Sequence, residues 1–197
     1  MFLQFEGKID IMKVQEIFFM PIMCYQYCDK RVYGMNSFFA KQRKGDVVFV
    51  VTAVIVANNF IYRAIEEHCK DLTPLKLQKL IYFLFKEYLQ RTGTELFSER
   101  FETWKYGPVL PSVYYEFSSF GRRPITKFAR ESQNTVSVVA EEGVFKEAFD
   151  FVWEEYKDFT GEELSNKTHT VDGAWWKAYD SSSPYLKTED IRNEKRL

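Results

Sequence analysis

Two stretches near the middle of the chain repeat their hydrophobic residues with the spacing of an α-helix. In the first, from Ala53 to His68, residues of one face recur at i, i+3, i+4, i+7 and i+8. In the second, one face carries Leu77, Leu80, Ile81, Leu84, Phe85, Tyr88 and Leu89. An apolar face of this kind packs against a core. The pattern therefore predicts two successive amphipathic helices.

The second helix also has recognisable ends. Thr73 is a suitable N-cap, Pro74 suits the first helical position, and Gly93 suits the position just after the last turn. Lys76 and Lys79 share one face, and we expect both to be exposed to solvent. This segment is the best-defined element that the sequence predicts.

The remaining segments predict shorter elements. Residues 101–106 alternate bulky and polar side chains, which is typical of a half-buried strand ended by Gly107-Pro108. The other expected elements are a helix from Pro111 to Gly121, a strand at 135–139, helices at 144–156 and after a Thr160–Glu163 capping box, a helix at 175–179, and a last turn capped by Thr188 before a frayed end. The expected fold is mainly α (α+β): a single compact helical domain with a small two- or three-stranded antiparallel sheet.

Composition excludes several classes of protein. The 197 residues include 27 Lys and Arg against 28 Asp and Glu, so the net charge of -1 gives no basis for expecting a nucleic-acid coat or a membrane-surface protein. Apolar residues make up 46% and aromatic residues 18%, which is ample for a core. The longest apolar run, Val47–Ala57, is well short of the ~20 residues of a membrane span. We expect a cytoplasmic protein without a membrane partner.

Residues 1–51 follow no clear pattern, and we expect an N-terminal extension there, followed by a domain at 52–186 and a charged tail at 187–197. Two interpretations of the extension stay open: an accessory element packed on the domain, or a native start downstream at Met35. Cys24 and Cys28 are spaced CxxxC, but the chain has only two His residues, so we expect packed thiols rather than a metal site.

Three sequence blocks carry a resemblance to one family. The first is Thr73-Pro-Leu-Lys-Leu-Gln-Lys-Leu-Ile-Tyr-Phe83. The second contains Trp104-Lys-Tyr-Gly-Pro-Val109 followed by Pro111 and Tyr114. The third runs from Leu164-Ser165 through Thr168-His169 to Trp175. Their order and separation resemble the Panacea domain family over about residues 52–180. The third block departs from the family at Val171-Asp172, where a Pro or a further Gly is often found.

The resemblance implies a binding protein rather than an enzyme. The family resembles antitoxins of bacterial and phage toxin–antitoxin systems and was first catalogued in phage-associated proteins. It implies a cognate toxin as the partner, bound directly, and no cofactor. One member is an adaptor that delivers its toxin to a cytoplasmic AAA+ protease, which makes such a protease a second expected partner.

The motif blocks supply the candidate partner-binding residues. They are Lys76, Lys79, Trp104, Tyr106, Gly107, Pro108, Tyr114, Thr168, His169 and Trp175. His169 can donate and accept hydrogen bonds, and we expect it to connect the Thr168–Trp175 turn to the strand that bears Tyr106. The aromatic residues form either a core with a polar edge or a groove for a toxin segment, since Trp and Tyr dominate binding hot spots.

Two alternatives belong to other functional classes. A hydrolase or nuclease would use His169 as general base with Asp172, although common nucleotide, zinc-protease and hydrolase motifs are absent from the sequence. A nucleic-acid-binding regulator would use the basic segment Arg122–Arg130, whose expected state is a solvated loop. No helix-turn-helix spacing accompanies that segment.

Overall fold

The computed structural model describes residues 36–37, 51–130 and 136–195. Cys24, Cys28 and almost all of the predicted N-terminal extension lie outside these residues, as does Thr135 of the second predicted strand. The elements in chain order are β1 (Asn36–Ser37), α1 (Ala53–Glu66), α2 (Pro74–Thr92), β2 (Glu102–Trp104), β3 (Gly107–Val109), α3 (Pro111–Phe117), a 3₁₀ turn (Ser118–Phe120), β4 (Ser137–Val138), α4 (Gly143–Tyr156), α5 (Gly161–Thr168), α6 (Ala174–Asp180) and α7 (Thr188–Asn193).

The helix α2 lies at the centre of the domain. It packs against five other helices, α1, α3, α4, α5 and α7, and against the strand β3. Its predicted ends are confirmed: the Thr73 hydroxyl accepts the Lys76 amide, and Gly93 leaves the helix with a left-handed φ of 73°. Because neighbours cover α2 on several sides, every residue from Lys76 to Glu87 is buried, including the polar ones.

The helix α1 packs as its spacing predicts but ends earlier. Its predicted apolar residues from Ala53 to Ala64 are fully buried. His68 is wrong as a member of this face, since it follows the helix, is exposed and has a φ of 56°. The Cys69 amide donates to the Ala64 carbonyl (2.8 Å), which closes the helix through the left-handed His68.

The main β element is a hairpin of β2 and β3. Its antiparallel register pairs Glu102 with Val109 and Trp104 with Gly107. Gly107 and Pro108 therefore form part of the second strand, although the sequence predicts that they end the first. The outer edge of β2 is also covered, because Thr103 donates its amide to Pro184 (2.9 Å) and Glu102 pairs with Tyr185. A separate short pair joins β1 and β4 in parallel.

The shorter helices follow the predicted punctuation with one exception. The capping box is confirmed, since Thr160 and Glu163 exchange both hydrogen bonds. The α3 segment ends at Gly121, with a φ of 59°. Thr188 is the first residue of α7 rather than its cap, and its hydroxyl donates to Glu95 (2.6 Å) instead of capping the helix. The mainly α fold with a small antiparallel sheet is therefore confirmed. No helix within the described part of the chain is long and apolar enough to cross a membrane.

The buried face of α2 yields a stability prediction. Leu80 is fully buried, whereas Leu75 on the same helix is only half-buried. We expect Leu80→Ala to lower the free energy of unfolding by ~2–5 kcal/mol, because the substitution leaves a cavity. Leu75→Ala should cost clearly less. Urea unfolding of both variants checks this, and equal losses would contradict the assignment of the core face.

Candidate functional site

The turn of the β2–β3 hairpin directs three successive carbonyl oxygens towards side chains of the C-terminal half of the domain. The contacts are Trp175 Nε1 to the Trp104 oxygen (2.9 Å), His169 Nε2 to the Lys105 oxygen (3.2 Å) and Ser165 Oγ to the Tyr106 oxygen (2.9 Å). These three side chains come from the segment that spans α5 and α6. His169 therefore contacts the segment that bears Tyr106, as predicted, although this segment is the hairpin turn rather than the strand.

The helix α2 holds the second strand of the hairpin. The Lys79 ammonium donates to the Pro108 carbonyl (2.8 Å). The Gln78 side chain donates to the Leu110 carbonyl (3.0 Å) and accepts the Leu110 amide (2.9 Å). The hairpin is thus fixed from two sides by side chains that are remote from it in sequence.

Gly107 permits the close approach of these elements. A Cβ atom at this position would lie 2.4 Å from Thr168 Oγ1 and 2.8 Å from Lys79 Nζ. The residue also has a φ of 95°, which disfavours any residue with a side chain. The Gly107-Pro108 motif is therefore a packing requirement, because only glycine fits between Lys79 and Thr168.

Lys79 is buried, contrary to the expectation of a solvated lysine. Its side chain has no exposed surface, and burial lowers its pKa to about 7. The expectation failed because the hairpin covers this face of α2, a contact that helical spacing does not reveal. Removal from water disfavours the charged form of an amine, and the Pro108 carbonyl is an acceptor for either form.

Lys76 is also buried, so the solvated interpretation is wrong for both lysines. Its ammonium contacts both carboxylate oxygens of Asp71 (2.9 Å each) and donates to the Lys157 carbonyl (2.6 Å). The side chain of Asp71 is 53% exposed, so the pair lies at the edge of the core. Neither lysine offers a charge to the surface.

His169 is held by the fold on both sides of its ring. Its Nδ1 contacts the Ser165 carbonyl, its Nε2 contacts the Lys105 carbonyl, and its ring meets the Trp175 ring edge-on at 3.9 Å. Both ring nitrogens face backbone oxygens rather than Asp172, which lies in an exposed turn with a φ of 64°. The His169–Asp172 pair that the enzyme alternative requires is therefore not assembled in this arrangement.

The predicted aromatic residues divide between core and surface. Trp175 is 4% exposed and belongs to the core, whereas Tyr106 is 61% exposed. Tyr114 is 38% exposed, and Trp104 is half-buried beside it, with ring centroids 4.8 Å apart. Tyr115 and Tyr179 extend this surface, and sequence reasoning did not single them out. We call Trp104, Tyr106, Tyr114, Tyr115 and Tyr179 the aromatic cluster.

Ring contacts and one hydrogen bond connect four members of the aromatic cluster, and Tyr106 lies between them in the hairpin turn itself. The ring of Tyr115 meets that of Tyr114 at 5.5 Å, and Tyr114 contacts Trp104. On the other side, Tyr179 stacks on Trp175 at 4.8 Å, and the Trp175 indole donates to the Trp104 carbonyl. Exposed aromatic side chains thus surround a backbone turn whose carbonyl oxygens are already occupied.

The basic segment is exposed, as expected. Arg122, Arg123, Lys127 and Arg130 all lie on the surface. Arg123 donates to the Ser119 carbonyl (3.1 Å), and Lys127 lies over the Phe120 ring at 5.8 Å. Two of the four cations are therefore used within the loop, which favours the solvated loop over a nucleic-acid surface.

Gln78 and Ser165 are the polar residues at the hairpin that sequence reasoning missed as site residues. Both are buried. The sequence did contain a sign of both residues, because each lies within a motif block and the polar Gln78 interrupts an apolar stretch of α2. A buried polar side chain needs a partner, but the identity of that partner depends on the fold.

Fold and site together define a mainly α-helical domain organised around one hairpin that its helices hold in place. Comparison with known proteins specifies the family. Residues 77–176, about half of the chain, match the family described as Antitoxin SocA-like, Panacea domain. The chain belongs to this family, as its three motif blocks predict, and membership supports an antitoxin role.

One curated relative is Antitoxin SocA of Caulobacter vibrioides (strain NA1000 / CB15N). It is 44% identical over 54 residues, which cover 27% of this chain and 29% of the relative. The match thus spans less than a third of the relative's length. No solved structure matches the chain.

Gly107 and Gly121 offer a matched pair for testing the close approach at the hairpin. Both have a positive φ, but a Cβ atom at Gly121 would meet nothing within 4 Å. We expect Gly121→Ala to cost about 1–3 kcal/mol of unfolding free energy through backbone strain alone, because residues with a side chain rarely adopt its φ of 59° and ψ of -113°. Gly107→Ala should cost more, because it adds the clash with Lys79 and Thr168. Thermal melts of the two variants check this, and equal losses would refute the packing role.

Burial of Lys79 yields a prediction of pH dependence. Its pKa is about 7 in the folded protein and about 10.4 in an unfolded chain. Between these values the unfolded chain binds more protons, so stability should rise with pH by up to about 1.4 kcal/mol per pH unit.

The test is urea unfolding at pH 7, 8 and 9. Lys79→Met should remove this contribution. Raising the pH from 7 to 9 should therefore stabilise the wild type relative to the variant. Lys105→Met, at an exposed lysine of the same hairpin, serves as the control. A pH-independent difference for Lys79→Met would contradict the prediction.

Proposed function

We propose that this protein is an antitoxin that neutralises a cognate toxin by direct protein binding in the cytoplasm, within a phage- or mobile-element-associated toxin–antitoxin system. The observation that carries the proposal is the aromatic cluster around the hairpin. It lies almost entirely within the segment that matches the family, and it presents Tyr106 and Tyr115 with 61% and 71% of their surface exposed.

The physical case rests on what exposed tyrosines contribute to an interface. A Tyr ring offers a large apolar area with few rotatable bonds, and its hydroxyl can find a partner at the edge. The backbone beneath Tyr106 is already fixed by Ser165 and Lys79. A partner that binds here meets a preorganised surface, so little conformational entropy is lost on binding.

Tyr106→Ala tests the proposal. The product of the neighbouring reading frame is co-expressed as the candidate toxin, and growth is scored. Truncation of a central anchor costs about 2 kcal/mol or more, which is roughly thirtyfold in affinity. We therefore expect Tyr106→Ala to lose rescue while its thermal melt stays close to that of the wild type, because the side chain is largely exposed.

Phe151→Ala is the matched control for this experiment. Phe151 is a 41% exposed aromatic residue on α4 that lies near Arg91, at the opposite end of α2 from the hairpin. It should retain rescue. Retention of rescue by Tyr106→Ala and Tyr115→Ala together would contradict binding through the aromatic cluster. The interface would then have to be sought elsewhere, beginning with residues 1–51.

Two modes of neutralisation differ in the fate of the toxin. If binding alone neutralises, the toxin level stays constant when the antitoxin is present. If this protein delivers the toxin to a cytoplasmic AAA+ protease, the toxin half-life shortens and recovers when that protease is deleted. Immunoblots of the toxin after translation arrest, in both strains, distinguish the two modes.

A further inference from the structure

The last described residues of the chain are bound to α2. The sequence analysis predicted a frayed end here, and that prediction is wrong. The Gln90 side chain donates to the carbonyl oxygens of Arg192 (3.0 Å) and Glu194 (2.8 Å). The Lys86 ammonium donates to the Lys195 carbonyl (2.9 Å). The backbone that follows α7 is therefore held by the C-terminal half of the central helix.

The carboxylate of Glu194 joins two elements of the domain. One oxygen accepts from the Tyr82 hydroxyl (2.8 Å) and from the Ala174 amide (2.7 Å), and the other lies 3.2 Å from the Lys86 ammonium. Its side chain is only 12% exposed. Tyr82 is fully buried. Its pKa is raised mainly by this burial and further by the nearby Glu194 charge, so the hydroxyl stays a donor.

The contact at Ala174 leads to the hairpin. Ala174 is the first residue of α6, and Trp175 follows it directly. The Trp175 indole donates to the Trp104 carbonyl, and its ring stacks on Tyr179 of the aromatic cluster. Glu194 is thus two hydrogen-bonded contacts away from the hairpin turn, although it lies at the far end of the chain.

We propose that Glu194 is a positioning residue for the aromatic cluster: it fixes the start of α6, and α6 in turn places Trp175 and Tyr179. The effect on toxin binding rests on the proposed function, whereas the effect on α6 does not. Without the carboxylate, the Tyr82 hydroxyl loses its acceptor and the Ala174 amide is freed. Local opening of α6 should then cost less free energy than in the wild type, while the stability of α4 against opening stays the same.

Amide hydrogen exchange of the full-length chain tests the structural part. In Glu194→Ala we expect residues 174–180 to exchange about tenfold faster than in the wild type, with α4 unchanged. Glu194→Gln keeps an acceptor oxygen for Tyr82 and Ala174, so most of the protection should return. Glu189→Ala, at a 69% exposed side chain on α7, the helix that precedes Glu194, should leave α6 unchanged.

A variant of matched stability separates positioning from general destabilisation. Val152 is fully buried on α4, remote from the C-terminus in sequence. If Val152→Ala lowers the melting temperature as much as Glu194→Ala but leaves α6 exchange unchanged, positioning is supported. If Val152→Ala accelerates α6 equally, or Glu194→Ala leaves α6 protected, the proposal is overturned.

Growth rescue then tests the link to binding. Loss of rescue in Glu194→Ala, with return in Glu194→Gln, supports the proposal. Full rescue by Glu194→Ala in a strain where Tyr106→Ala fails overturns the link, since the cluster then binds without a fixed α6. Failure of the proposed function itself is recognised separately, because Tyr106→Ala and Tyr115→Ala would both rescue.

Discussion

The structure depends on hydrogen-bond partners for the polar side chains of α2, because this helix is buried on nearly all sides. Lys76, Gln78, Lys79 and Lys86 are each largely or fully removed from water, and each donates to a backbone carbonyl of a distant segment. An unpaired polar group in that position would cost several kcal/mol. The requirement selects the segments that can pack there: the hairpin, the end of α4 and the C-terminus.

The same need for hydrogen-bond partners applies to the backbone of the hairpin turn. The carbonyl oxygens of the turn are directed inwards, where Ser165, His169 and Trp175 contact them. Two of these residues were candidates for the binding surface, yet their polar atoms are used within the fold. The side chain of Tyr106 is left to project outwards. Internal hydrogen bonding thus supports the very residue that the proposed interface needs.

A large part of the fold was predictable because its causes are local. The N-cap at Thr73, the left-handed end at Gly93 and the capping box at Thr160 each depend on residues within a turn of one another. The motif blocks likewise singled out the Trp104–Val109 segment and the His169 segment, which the structure places in contact. Exposure within that region was not predictable, because spacing cannot say which face of Tyr106 or Trp175 another element covers.

The sequence by itself therefore determined the helices, most of their ends, the family and several of the residues that meet at the hairpin. Only the tertiary structure decided that Lys76 and Lys79 are buried and that the Glu194 carboxylate is held against α2 and α6. The physical reason is that an amphipathic pattern records which side of a helix is apolar, whereas a polar side can face either water or a carbonyl from a remote segment. Helical periodicity is the same in both cases, and the energetic difference arises only when the remote segment is in place.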